Sequence, residues 1–120
     1  MPKMFRILTI LFLSALSAFA ATYHSDGSAG NVQALCDAAV AGDTVTVPAG
    51  TFTWTTPVVI SNAVTLQGAG VAGNRKTVIV HGAGLNVLLT LRSLAPESIT
   101  LMGIRFVISS GGTGPLVLMQ

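Results

Sequence analysis

Residues 41–52 read AGDTVTVPAGTF, and residues 64–70 read VTLQGAG. Short runs of Thr, Val and Leu are broken there by Gly, Pro and Asp at close, repeated intervals. β-Branched side chains suit a pleated strand. Gly42-Asp43 and Val47-Pro48-Ala49-Gly50 carry the residues that tight turns require. A chain written this way winds through short strands joined by corners.

The same grammar continues to residue 118. Strands are expected at 44–47, 51–54, 58–61, 64–67, 77–80, 87–91, 99–101, 104–108 and 116–118. Between them lie turn signals at Asn62-Ala63, 68–74, 82–84 and 109–114. The first four strands begin at 44, 51, 58 and 64, steps of 7, 7 and 6. An antiparallel meander could give such steps, but it alternates polar and apolar residues more cleanly. Here similar tetrads recur instead: Thr-Val-Thr-Val from 44, Ala-Val-Thr-Leu from 63 and Ser-Ile-Thr-Leu from 98. Three strands per turn makes a coil of about 20 residues, within the range of solenoid repeats. Residues 44–61 form one coil on this count. Residues 64–91 form a second, widened by loops near 70–76 and 81–86, and 99–118 form a third.

Stacked coils also account for the composition. Hydrophobic residues make up 51 % of the 120 residues and charged residues 8 %. Inward ladders of apolar side chains bury more area with each coil and need few charges. The two ends of such a stack expose strand edges and core. One helix candidate, 29–41, stands before the first coil. Val32, Leu35, Cys36, Ala39 and Val40 fall on one face, and Asn31, Gln33 and Asp37 on the other. Ser28 can cap its start and Gly42 can end it in a left-handed turn. A helix this short needs a docking surface to persist, and it is placed to cover the first end. The chain stops at Met119-Gln120 within an apolar run, so we read residues 42–120 as the first coils of a truncated stack.

Residues 1–20 read as a signal peptide. Lys3 and Arg6 precede an apolar stretch, and Ala18-Phe19-Ala20 is a small-x-small cleavage signal. The apolar stretch falls short of the roughly 20 residues that span a bilayer, so no membrane segment is expected once it is removed. Residues 21–28 are then a short lead-in. The formal net charge of +2 comes from Lys3 and Arg6. Their removal leaves Arg75, Lys76, Arg92 and Arg105 against Asp26, Asp37, Asp43 and Glu97, near neutrality. No basic stripe with interleaved aromatics remains, so nucleic acid is not an expected partner. The expected location is secreted, periplasmic or cell-surface. Cys36 is the only cysteine and excludes an internal disulfide framework; it reads as a small buried hydrophobe.

At this point the residues resemble a known family. Residues 28–52, SAGNVQALCDAAVAGDTVTVPAGTF, look like the N-terminal cap and first coil of pectin-lyase-like proteins. The match is a helix with an A…DA stretch, then Gly-Asp-Thr-Val-x-Val-Pro-x-Gly-Thr-aromatic. Residues 64–70 and Thr77-Val78-Ile79 resemble the next coil, and residues 99–106, ITLMGIRF, the one after. Tyr23 and Asp26-Gly27-Ser28 resemble the lead-in. The resemblance implies an all-β solenoid, a right-handed parallel β-helix with three short strands per coil and an N-terminal capping α-helix. It further implies an exported protein that binds or degrades extracellular polysaccharide, in the manner of lyases or glycoside hydrolases. The same start is shared by surface adhesins, so a non-enzymatic stalk or binding module is the alternative. Catalytic groups of such enzymes lie on later coils, and none can be carried over to this chain.

The candidate sites are correspondingly thin. Residues 68–73 spell G-x-G-x-x-G after a strand, but a dinucleotide loop needs a helix next. Here Asn74-Arg75-Lys76 leads to another strand, so a wide turn is expected and no cofactor. Glycoside hydrolysis needs paired carboxylates; Asp26, Asp37, Asp43 and Glu97 each have an ordinary use in a cap, a helix face or a turn. Trp54 and Tyr23 could stack on sugar rings, although packing at a turn is the commoner use of a strand-end Trp. Arg92 and Arg105 lie on or beside strands and could meet a uronate in a groove, against the ordinary reading of solvated arginines. His24 and His81 are isolated and make no metal pair. No acid cluster could hold Ca²⁺; Ca²⁺ would have to be bound elsewhere in a full-length protein.

Overall fold

A computed structural model describes residues 19–92, 97–109 and 114–120. Most of the expected signal segment and the Pro96 turn, with most of the 109–114 turn, lie outside the described residues. The chain forms β1 (Thr22–His24), α1 (Ala29–Ala38), β2 (Thr44–Thr46), β3 (Gly50–Trp54), β4 (Val58–Ile60) and β5 (Thr65–Gln67). It continues as β6 (Thr77–His81), β7 (Leu89–Leu91), β8 (Thr100–Met102), β9 (Ile104–Ile108) and β10 (Val117–Met119). All strands pair in parallel, in three sheets ordered β1-β2-β5-β8, β3-β6-β9 and β4-β7-β10. After α1 the chain thus visits the three sheets in the same order three times. Each expected strand is present, with ends shifted by at most two residues. The strand β1 was not expected, because three residues between a signal segment and a helix carry no period of their own.

Register explains the core. Residues in line across a sheet stack as ladders, and successive residues face opposite sides. The inward rows are Tyr23–Val45–Leu66–Leu101, Phe52–Ile79–Phe106, Trp54–His81–Ile108, Val58–Leu89–Val117 and Ile60–Leu91–Met119. Val45, Leu66, Ile79, Val58, Leu89 and Ile60 are wholly buried. Full burial of such a side chain contributes about 1.5–3 kcal/mol. The ladder bonds continue around the first corner of each pass. Ser25 N donates to Thr46 O at 3.0 Å, Val47 N to Gln67 O at 2.8 Å and Gly68 N to Met102 O at 2.8 Å.

The helix α1 starts as expected and ends early. Ser28 is its N-cap, and its hydroxyl accepts from Asn31 N at 3.3 Å. The helix stops at Ala38 with Ala39 as extended C-cap, so Gly42 does not terminate it. Gly42 instead takes φ +91° in a turn where Asp43 N donates to Val40 O at 3.0 Å. Val40 consequently leaves the apolar face and is 63 % exposed. The carbonyls at the helix end are satisfied from another element: Asn62 Nδ2 donates to Cys36 O at 3.0 Å and Ala39 O at 2.8 Å. This is the ordinary debt of a helix terminus, met by a residue that follows β4.

Gln33 was expected on the solvent side of α1, and it does the reverse. Its Nε2 donates to Val59 O at 2.8 Å, and its Oε1 accepts from Val59 N at 2.7 Å. One amide side chain therefore imitates a neighbouring strand for β4, the edge of its sheet. Beside it Gly27 (φ +91°) lies against the Phe52 ring, where an added Cβ would fall 2.3 Å from Phe52 Cε1. Trp54 Nε1 donates to Gly27 O at 2.9 Å. The first strands of all three sheets are thus met by the segment before residue 40: β2 by β1, β3 by Gly27 and β4 by α1.

The glycine-rich loop at 68–73 is a turn into β6, as expected. Gly68 and Gly103 occupy one corner in successive passes, and a Cβ at Gly68 would meet Gly103 O at 2.3 Å. Only glycine permits that approach of two backbones. Thr77 Oγ1 holds the loop, accepting from Ala69 N at 2.7 Å and donating to Pro48 O at 2.9 Å.

Candidate functional site

The outward face of the four-stranded sheet carries two polar rows. One is Thr22–Thr44–Thr65–Thr100 and the other His24–Thr46–Gln67–Met102. Parallel strands place successive members about 4.8 Å apart. These residues face outward because their neighbours Tyr23, Val45, Leu66 and Leu101 occupy the core. The row is therefore set by alternation within four separate three-residue strands.

A groove of about 370 Å³ runs beside the second row. His24, Ser25, Thr46, Pro48, Gln67 and Ala69 line it. His24 Nδ1 and Thr46 Oγ1 are hydrogen-bonded at 2.8 Å, and Thr46 Oγ1 donates to Tyr23 O at 3.4 Å. Ser25 Oγ donates to Thr46 O at 2.7 Å. The groove thus offers hydrogen-bonding side chains over an apolar floor of Val47, Pro48 and Ala69. Such a surface can hold a polyhydroxylated chain by hydrogen bonds and face contacts. None of these residues was singled out from the sequence for this purpose. The Thr-x-Thr at 44–46 is the one local trace of it.

The residues that were singled out do not converge. Trp54 is 1 % exposed and its ring packs inside, so it presents no face to a sugar. Tyr23 is half-buried and packs against the core. Arg92 follows β7 and donates from Nε to Gln120 Oε1 at 3.1 Å. It lines a smaller recess of about 170 Å³ with Ser61, Asn62, Glu97 and Ile99. Arg105 stands on the outer face of β9, in register with Val78 of β6. The two arginines therefore belong to different sheets. His81 is fully buried between Trp54 and Ile108 in register, and among the described residues neither ring nitrogen has a partner.

The acids are occupied structurally. Asp26 Oδ1 accepts from Ser28 N at 2.9 Å and from Ser28 Oγ at 2.6 Å, which lowers its pKa. Asp37 Oδ1 accepts from Gln33 Nε2 at 2.9 Å. Asp43 accepts from Ala21 N at 2.8 Å and Val40 N at 2.9 Å, and these bonds lower its pKa in that order. Burial pushes the Cys36 thiol up to about 11, with the charge of Asp37 adding to it; a thiol so raised is a poor nucleophile. Among the described residues there is no cluster of three or more His, Cys, Asp or Glu that could hold a metal ion. Nor, among them, is any helix long and apolar enough to cross a membrane. No family model, curated protein or solved structure matches the chain.

Proposed function

We propose that this chain belongs to an exported, pectin-lyase-like, right-handed parallel β-helix protein that binds extracellular polysaccharide along its four-stranded sheet. The three passes through the sheets are three of its coils. The observation that carries the binding reading is the groove with its row His24–Thr46–Gln67 beside the threonine row. Hydrogen-bonding groups at strand spacing suit a repeating chain of hydroxyls, and the apolar floor suits the flat faces of sugar rings. The signal-like residues 1–20 support export. Among the described residues the groove is lined by no carboxylate, so hydrolysis by paired acids, if the protein performs it, draws on residues elsewhere.

The test is binding and turnover by the full protein on polygalacturonate, alginate and chondroitin. Binding to at least one is expected, weakened about tenfold, or about 1.4 kcal/mol, by Gln67→Ala with His24→Ala. Release of unsaturated oligosaccharides would make it a lyase. Absence of binding to all three would sink the polysaccharide reading and favour the stalk of a surface protein.

A further inference from the structure

Asp43 is a charged side chain only 2 % exposed. It is roofed by its own turn and by the segment before β1, not set deep among side chains. Both of its partners are backbone N–H groups, at Ala21 and Val40. Among the described residues its negative charge therefore has no cationic counterpart. The contact to Ala21 spans 22 residues of sequence. Ala21 is held a second time, because its carbonyl accepts from Thr44 N at 2.9 Å. Just before it, Ala20 is exposed and the Phe19 side chain is 89 % exposed. Ala21, held at both its N–H and its carbonyl, is the residue that follows the small-x-small signal Ala18-Phe19-Ala20.

We propose that Ala20–Ala21 is the processing junction of this protein, and that Asp43 is the built receptor for the α-ammonium group that processing creates. An export-pathway peptidase adds water across that peptide bond. Ala20 leaves as a carboxylate, and the Ala21 nitrogen, after taking up a proton at neutral pH, becomes an ammonium. A neutral amide 2.8 Å from Asp43 Oδ1 is replaced by a cation at the same place. Charge-assisted bonds of this kind are roughly twice as strong as neutral ones. The uncut chain has only the weaker contact, so cleavage itself tightens β1 onto β2 and completes the cover of the first pass. This rests on the reading of residues 1–20 as an export signal, and the two parts are tested separately.

Intact mass and N-terminal sequencing of the exported full protein test the junction. A start at Ala21 is expected, and any other start overturns it. The clasp is tested on protein prepared to begin at Ala21, compared with protein that retains Ala20 and with protein acetylated at Ala21. The free Ala21 form should melt several degrees above the other two, and Asp43→Asn should bring all three together. Equal melting of the three wild-type forms overturns the clasp, whatever the junction proves to be. If Asp43→Asn does not fold, the α-amino group of the wild type gives the answer. It should titrate above the ordinary range of about 7.7–8.0, and a value within that range overturns the proposal.

Discussion

The first and third passes through the sheets use the same kinds of residue and bury them very differently. Trp54 is 1 % exposed and Ile108, its ladder mate two strands away, 50 %. Ile60 is 0 % exposed, and Met119 in the same inward row is 79 %. Intrinsic hydrophobicity does not separate these pairs. What separates them is a neighbour on the open side. The first pass has β1, Gly27 and α1 against its strands; the described residues place only the second pass against the third. In a stack of this kind a side chain is buried by the layers on both sides of it. Exposed strand edges with apolar side chains are also templates for further pairing.

The largest test of this comparison lies within one ladder. Leu66 and Leu101 are chemically identical neighbours in the row that begins at Tyr23. Leu66→Ala removes a wholly buried side chain and should cost about 2–5 kcal/mol. Leu101→Ala, in the half-buried third pass, should cost about 1 kcal/mol. Urea unfolding midpoints at unchanged slope measure both. Equal losses would break the comparison, since burial by a second neighbouring layer would then count for nothing.

A smaller effect tests the cover itself. Gln33→Ala strips the partners from both Val59 N–H and Val59 C=O and should cost about 1–3 kcal/mol. Gln33→Glu should recover little of it, because a carboxylate accepts from the N–H but repels the carbonyl oxygen. Amide exchange at Val59 should quicken in both variants while that of Leu66 holds. Unchanged exchange at Val59 would show that α1 lies beside β4 without covering its edge.

The smallest effect sharpens the contrast from the middle of the stack. Trp54 finds a carbonyl for its N–H in the covering segment, at Gly27. His81, one pass further on, has none for either nitrogen among the described residues. His81→Leu keeps a side chain of similar reach and removes the unmet polar atoms, so stability should rise by about 1 kcal/mol. A loss in thermal unfolding would mean that the ring has a partner after all.

Much of this fold was legible from residues 41–70 onward. The tetrads with inward Val, Leu and Ile, the corner glycines and Pro48 marked all nine strands after α1, because each is a local preference of a few residues. The helix start was legible for the same reason, since Ser28 caps within three residues. Its end was not. Gly42 is a sound local stop signal, but the docking of Asn62 on the last carbonyls decides where the helix closes. The polar face of α1 misled in the same way, since Gln33 looks like a solvent-facing residue until β4 is beside it. The candidate groove was illegible because its members sit at 24, 46 and 67, one before the first pass and one in each of the first two. Their common row is a property of register, and no local window contains it.

What the sequence by itself determined is the alphabet of the molecule: short strands, tight corners and one capped helix. Those follow from steric preferences and hydrogen bonds that span a few residues. The tertiary structure alone decided which strands lie in line. With that it decided the partner of Gln33, the isolation of His81, the burial of Trp54 and the meeting of Ala21 with Asp43. Each of these is a contact between passes roughly 20 residues apart or more, and such a contact exists only when every strand between them has taken its place.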